Sequence, residues 1–403
     1  MDKSNLIRRL CLIACMLCGA NYLAAAELER FDGTISRERL EYYLARAMTM
    51  ESLLVDHGNL DDEIRLMTST GVRFAGRTIY LWGGEQNLEP AIKAAQERER
   101  RIHVALPELM LQAAIFEIIS QGVETHDVPV AVAKEFQVTD VPRKFSYSAM
   151  LFPDGKFKNN WGKGSSVPDI RQIETQMWFY YLATRYIDLG IEALHMGQVN
   201  LMGLRDRENA AWDSLLMRIR NYANSHARRG IVLCDAHVPR GGLRVGERLL
   251  LEFHSFPLRI DEVPDHAIEG VLRMGYSDSL YGRSRGGVTP SGWSCEHLPY
   301  LVEFDNFGRS RREGKNIGGG WIWGYDEITW FAHLARPERD RWLRYAAKWV
   351  RENDPNGYLQ MPGSRTIAAP VDGKDWYWAS EASAKCPGGF GDEGTIREIW
   401  STK

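Results

Sequence analysis

Apolar residues recur along this chain at two spacings. Helical spacing dominates 36–70, where "SRERLEYYLARAMTMESLLV" follows a cap candidate at Ser36. Residues 27–70 are therefore expected to form a helical N-terminal extension. From residue 71 onward, short apolar runs alternate with amphipathic segments. "TIYLWG" (78–83) is the first strand-like run and "LQAAIFEI" (111–118) the second, with a helix expected from about Leu88 to Arg101 between them. A turn-rich insertion, 151–169, precedes a long helix expected over 170–189 with Asp169 as its cap. The remaining strand-like runs are "GIEALHMG" (190–197), "GIVLCDAH" (230–237), "RLLLEFHSF" (248–256), "YLVEFD" (300–305), "GGWIWGYDE" (319–327) and "GYLQMPG" (357–363).

Eight such runs, mostly separated by helices, predict a (β/α)8 TIM barrel over 71–403, with long loops on the C-terminal face of its strands. An open doubly wound sheet would alternate similarly, but no GxGxxG follows the first run and no P-loop is present. The link between the fourth and fifth runs, "VPRGGLRVGE", leaves little room for a helix.

The run "LVEFDNFG" (301–308) poses a question about this barrel. It reads as buried, yet Glu303 and Asp305 are two residues apart and so point to one side of a strand. The other runs end in the same way: Glu117 on the second, Glu192 and His195 on the third, and Asp235 and His237 on the fourth. Glu252 and His254 close the fifth, and Asp326 and Glu327 the seventh. Unpaired carboxylates are costly in a packed core. Grouped at the C-terminal strand ends they would line a wet mouth, where TIM barrels carry their chemistry.

That constellation suits glycoside hydrolysis, which needs one carboxyl group as acid and another as base or nucleophile. Glu192 and Glu303 are the first candidates, with Asp305 and Asp235 as alternatives. Glu117, His195, Gln198, His237, His254, Asn306 and Asp326 are the candidate partners for sugar hydroxyls. Among Trp161, Trp293, Trp321, Trp323, Trp376 and Trp378, Trp293 and Trp323 are the candidates for stacking on a sugar. Glu252 and Glu327 are expected to be structural. A metal-dependent hydrolase using Asp235, His237 and His254 is a second reading, although no HxH or HExxH spacing occurs. A non-catalytic carbohydrate-binding barrel is a third. No cofactor is expected.

Composition narrows the setting. The chain has 403 residues, 44% hydrophobic and 26% charged, with a net charge of −3. The signs are well mixed, so no basic stripe points to nucleic acid. Thirteen Trp fit a ligand site rich in aromatic faces. Lys3, Arg8 and Arg9 precede the short apolar stretch "LCLIACMLCGA", and "AAA" (24–26) offers a cleavage site; residues 1–26 read as a secretory signal. The expected location is periplasmic or extracellular. A lipoprotein site at "LIAC" is the weaker alternative, since it leaves only about five apolar residues ahead of the cut. No later stretch is apolar enough to cross a membrane. After cleavage Cys234, Cys295 and Cys386 remain, too few for a disulfide framework, although Cys295 and Cys386 could pair.

The stretches "LQAAIFEI", "IETQMWFYYLATRYIDLGIEALHMGQVNLMG", "LLLEFHSFPLRI", "LVEFDNFG" and "WIWGYDEITWFA" together make the chain resemble a family of secreted (β/α)8 proteins. These come from polysaccharide-degrading gut and soil bacteria and are similar in layout to glycoside hydrolases. The resemblance covers most of 75–365. It implies the barrel, the secreted setting and an oligosaccharide or polysaccharide partner. The acid–base pair rests on the residues themselves.

Overall fold

The computed structural model describes residues 28–402, apart from residue 56 and residues 307–321. The expected signal segment, its lipoprotein alternative and Trp321 lie outside the described residues. The chain divides after Arg30, and the unit Phe31–Lys403 carries everything that follows.

Eight parallel strands close into a barrel: β1 (Ala47–Met50), β2 (Phe74–Tyr80), β3 (Met110–Ala114), β4 (Ala193–Gln198), β5 (Leu233–His237), β6 (His254–Pro257), β7 (Tyr300–Glu303) and β8 (Gly357–Val371). Met48 pairs with Met361, so β1 closes on β8. Strands covered on both faces favour continuous apolar runs, and β1, β3 and β7 are buried throughout. β8 runs past the barrel rim and pairs antiparallel with β9 (Lys374–Trp378). This is the (β/α)8 fold expected from the alternation of runs.

The helices lie outside: α1 (Arg37–Leu44), α2 (Leu60–Thr70), α3 (Leu88–Ala105), α4 (Ile173–Asp188), α5 (Ala210–His226), α6 (Glu327–His333), α7 (Arg336–Asn353) and α8 (Glu393–Ser401). α1 starts on Ser36, whose hydroxyl accepts from the Arg39 N–H. α2 starts on Asn59 and stops at Gly71, which takes a left-handed φ of 75°. No α-helix joins β5 to β6 or β6 to β7; loops and short two-residue strands fill both connections.

Two expectations need correction. The stretch expected as a helical extension contains β1 and α2, so the barrel begins near residue 47. The described part of the "GGWIWGYDE" run, residues 322–327, is not a barrel strand. Within it, Ile322 and Tyr325 form only an isolated antiparallel bridge, and Glu327 already begins α6. The count of eight survives because one missed strand offsets one false one. Smaller shifts follow: Asp169 binds Arg171 rather than capping α4, whose N-cap is Gln172.

The N-terminal end of the barrel is sealed. Leu40, Tyr43 and Leu44 of α1 pack with Ala47, Phe74, Met110, Ala193, Leu233, Phe253 and Leu301, which lie at or near the strand starts. The main core fills the space between the barrel and its helices. Among the described residues, Cys234, Cys295 and Cys386 are all free thiols, and no helix is long and apolar enough to cross a membrane.

Candidate active site

A cavity of about 610 Å³ opens at the C-terminal end of the barrel. Each of the eight strands contributes to it, at or just beyond its end: Glu51 after β1, Tyr80 on β2, Glu117 after β3, Gln198 on β4, His237 on β5, Pro257 on β6, Asp305 after β7 and Arg365 on β8. This is the face where a TIM barrel builds its sites.

The floor is organised by Arg77. Between Ala75 and Ile79 the register of β2 against β3 shifts, and Arg77 sits in that bulge with φ +60°. A left-handed non-glycine residue persists only where its surroundings hold it. Here the Arg77 N–H donates to Gln112 Oε1 (3.2 Å), and its C=O accepts from the Ser52 N–H (3.1 Å). The bulge re-aims the side chain across the barrel, as such irregularities do. Its guanidinium grips both oxygens of Glu303, with Nε at 2.8 Å from Oε2 and Nη2 against Oε1. His237 Nε2 is 3.5 Å from the same carboxylate. Burial alone would push Glu303 upward; the Arg77 charge and hydrogen bonds outweigh it and hold this carboxyl well below the usual range.

Above this floor, Arg365 donates to Asp305 (3.0 Å) and Asn306 (3.2 Å) and lies 3.9 Å from Glu51. Glu51 also takes the Thr366 N–H (2.9 Å) and the Tyr80 hydroxyl. A third arginine, Arg259, reaches Asp278 (2.8 Å) and the fully buried Glu327 (3.2 Å). Burial pushes Glu327 up to about 8, against the opposing pull of Arg259.

Glu117 differs from these. It lines the cavity, and its carboxylate accepts the Gln198 main-chain N–H (2.9 Å) and the Gln198 side-chain amide (2.7 Å). Gly197 permits the approach: it has φ +58°, and a Cβ there would collide with the Glu117 carboxylate. Aromatic rings surround this residue. Trp161 donates its indole N–H to the Glu117 C=O (2.8 Å). Trp82 packs edge-on against Phe116 (5.3 Å) and Trp161 (5.2 Å). One wall is thus aromatic, and the wall on β6, β7 and β8 is made largely of ion pairs.

Below the cavity is a closed polar layer. Asp235 accepts from Gln112 Nε2 (2.6 Å) and pairs with His195 Nδ1 (2.7 Å). Burial pushes the His195 imidazole down despite Asp235. His195 and His237 meet edge to face, 4.7 Å apart.

Of the residues expected in the site, Glu117, Gln198, His237, Asp305 and Asn306 line the cavity. Glu303 lies directly beneath it, and His195 and Asp235 lie in the buried layer. Glu303 and Asp305 do share one side of β7 and its extension, which accounts for the two carboxylates in an apolar run. Five others are elsewhere. Glu192 precedes β4, at the sealed end, where it is fully buried between Arg228 (2.7 Å) and Arg229 (2.7 and 2.8 Å). A face-to-face pair of Glu192 and Glu303 in one mouth is therefore not formed. His254 turns outward to Ser284 (3.0 Å), because its neighbour Ser255 faces in toward His195 (3.3 Å); burial pushes its imidazole down to about 3. Trp293 is bound at the sealed end, where its indole donates to the Ile35 C=O (3.0 Å). The Trp323 main-chain N–H donates to Glu262 (2.6 Å), and its ring packs against the main core. Asp326 caps α6 through the Thr329 N–H (2.7 Å), and burial pushes it up to about 6. Glu252, expected as structural, is held by Arg220 (2.7 Å).

The sequence reading missed Arg77, Glu51, Trp82, Arg259 and Arg365. Arg77 left a signal, since an arginine inside "FAGRTIY" is out of place in an apolar strand. The metal reading does not assemble: Asp235 is engaged by His195 and Gln112, and His254 faces away. Among the described residues, no three His, Cys, Asp or Glu side chains are grouped to hold a metal ion.

No protein-family model matches the sequence. No curated protein matches it either. Among solved structures, the chain is similar to Arthrobacter globiformis isomalto-dextranase complexed with panose, at 10% identity and TM-score 0.35, over 87% of this chain and 52% of that one. It is also similar to Parabacteroides merdae β-glucuronidase, at 10% identity and TM-score 0.39, over 89% of this chain and 36% of that one. A third is a Bacteroidetes-affiliated GH5 cellulase linked with a polysaccharide utilization locus, at 10% identity and TM-score 0.36, over 90% and 93% of the two chains. The chain thus spans about half the length of the first and about a third of the second. Likeness at this level assigns no role to any residue.

Proposed function

We propose that this protein is an exported glycan-active hydrolase, with Glu117 as general acid and Glu303 as its ionised partner. The observation that carries the reading is the cavity itself: all eight strand ends converge on it, carboxylates line it, and one wall is aromatic. β3 and β7 stand four places apart in an eight-strand ring, so Glu117, on the cavity wall, and Glu303, beneath its floor, belong to opposite sides of the barrel. Glu303 suits the role of base or nucleophile because Arg77 keeps it ionised. Glu117 suits the acid role because Gln198 is neutral. An amide can turn its oxygen instead of its N–H toward a neighbour, so it serves the protonated and the ionised carboxyl alike. An arginine could serve only the ionised form.

The test is turnover. The full-length chain, expressed in a secreting bacterial host and recovered as a mature form starting at Glu27, is assayed on plant and host glycans for new reducing ends. Glu117→Gln is expected to lower kcat by about 10²–10⁴-fold, the usual weight of a positioned acid, while glycan affinity holds. Glu303→Gln is expected to do likewise, but it also leaves Arg77 without its buried partner. Full turnover by Glu117→Gln would sink the assignment.

A carbohydrate-binding barrel without turnover is the second reading. One observation favours it: Glu303 lies beneath Arg77 and His237 and is absent from the cavity wall. Wild-type affinity for glycans without any release of reducing ends would decide for it.

A further inference from the structure

The aromatic wall beside Glu117 contains one side chain that the fold does not need to expose. Trp82 is 47% exposed, and among the described large apolar residues that stand exposed it is the only aromatic one. It lines the cavity. It is also firmly set, braced edge-on by Phe116 and Trp161. Trp161 is in turn tied by its indole N–H to the Glu117 main chain. A large apolar face held open to water at the edge of a cavity is a surface that gains by being covered. The facing wall offers Arg259, Arg365, Asp305 and Asn306. A pyranose ring matches this asymmetry, since it has C–H groups on its faces and hydroxyls around its rim.

We propose that Trp82 is the platform of a leaving-group subsite that takes a neutral sugar ring. This rests on the reading of Glu117 as the general acid. In the hydrolysis the glycosidic C–O bond breaks, the departing oxygen takes the Glu117 proton and leaves as a free sugar hydroxyl, and water supplies the hydroxyl on the other fragment while its remaining proton is taken up by a carboxylate of the site and returned to Glu117 through solvent. The group that departs must therefore lie beside Glu117, and the surface beside Glu117 is Trp82 with Phe116 and Trp161. The departing group is thus another sugar, and the substrate an oligosaccharide or polysaccharide rather than a glycoside of a small alcohol. The ring is neutral because the groups beside Glu117, namely Trp82, Phe116, Trp161 and Gln198, carry no charge, and the nearest cation, Arg77 over the Phe116 ring, is already paired with Glu303.

The experiment compares two substrate types for each sugar. Cello-, xylo- and mannotetraose fill a leaving-group subsite with sugar; the matching p-nitrophenyl monosaccharides do not. The readout is the ratio of kcat/KM for the tetrasaccharide to that for the aryl glycoside. Trp82→Ala is expected to lower this ratio about tenfold, and Trp82→Phe, which keeps a flat ring, to restore most of it. An unchanged ratio in Trp82→Ala, with the wild type still cleaving the tetrasaccharide, overturns the subsite and leaves the hydrolase reading intact. A wild-type protein that neither binds nor cleaves any member of the panel overturns the hydrolase reading, and the subsite with it.

Discussion

The two ends of the barrel carry the same residue types and use them in opposite ways. At the N-terminal end Glu192 faces two arginines, and one of these, Arg229, also donates to the Tyr43 hydroxyl (2.8 Å) on the helix that seals the barrel. Glu192 and Arg229 are themselves fully buried there. At the C-terminal end Glu117 accepts only amide N–H groups and stands on the wall of an open chamber. A carboxylate near the end of a barrel strand is therefore not a site by itself. What separates the two is whether its hydrogen bonds are completed by fixed cations or left to be completed by whatever enters.

The largest expected effect tests that contrast directly. Glu192→Ala leaves Arg229 buried without a counter-charge, which costs about 3–5 kcal/mol in stability. Glu117→Ala uncovers amide N–H groups that cavity water can reach, and costs about 1 kcal/mol or less. Denaturant melts of both variants check this. Equal losses would mean that Glu117 is as structural as Glu192, and the comparison of the two ends would fall.

The same contrast explains how far the sequence could be read. The runs at 111–118, 190–197, 230–237 and 300–305 each cover all or most of a barrel strand, because a parallel barrel needs apolar segments between amphipathic ones. Where each strand begins was much harder to see. Glu192 precedes β4 by one residue, which puts it at the closed end, whereas a run drawn from residue 190 makes it look like part of the strand. β1 was hidden because "AMTM" is four residues long, lies between two helices, and contains Ala and Met, which favour helix. Losing β1 also hid Glu51. The first run begins at Thr78, four residues into β2, and so leaves Arg77 out, and no local pattern announces a bulge that turns an arginine across the barrel. His254 and Ser255 show the remaining ambiguity: alternation fixes that they point opposite ways, but not which of them points in.

A smaller change sharpens the distinction at the mouth alone. Gly197 has φ +58° and no room for a Cβ beside the Glu117 carboxylate. Gly197→Ala is expected to cost about 1–2 kcal/mol for the left-handed backbone and to push Glu117 away from Gln198. Turnover should then fall well beyond what the stability loss explains. Turnover that stays at the wild-type level in the folded variant would detach the Glu117–Gln198 contact from function.

The last expected effect is read as a slope with pH rather than as a loss in one variant. Glu327 is buried against Arg259 next to the cavity, and burial raises its folded-state value to about 8. An unfolded glutamate titrates near 4.3. Between those two values the folded state holds a proton that the unfolded state has released. The stability this proton contributes is fully present below about pH 4.3. It declines as pH rises toward about 8, where Glu327 ionises in the folded protein as well. Asp326, raised to about 6 by its own burial, adds to the same trend at the lower end of that window. Glu327→Gln keeps the shape and cannot ionise, so its melting temperature should fall less steeply than the wild type's across this range. The sealed end offers an internal control, since Glu192 is tied to two arginines there and no substitution near Glu327 should change what Glu192→Ala costs. A wild-type melting temperature that rises from pH 5 to 8 just as much as that of Glu327→Gln would show that the buried carboxyl is already charged, held that way by Arg259.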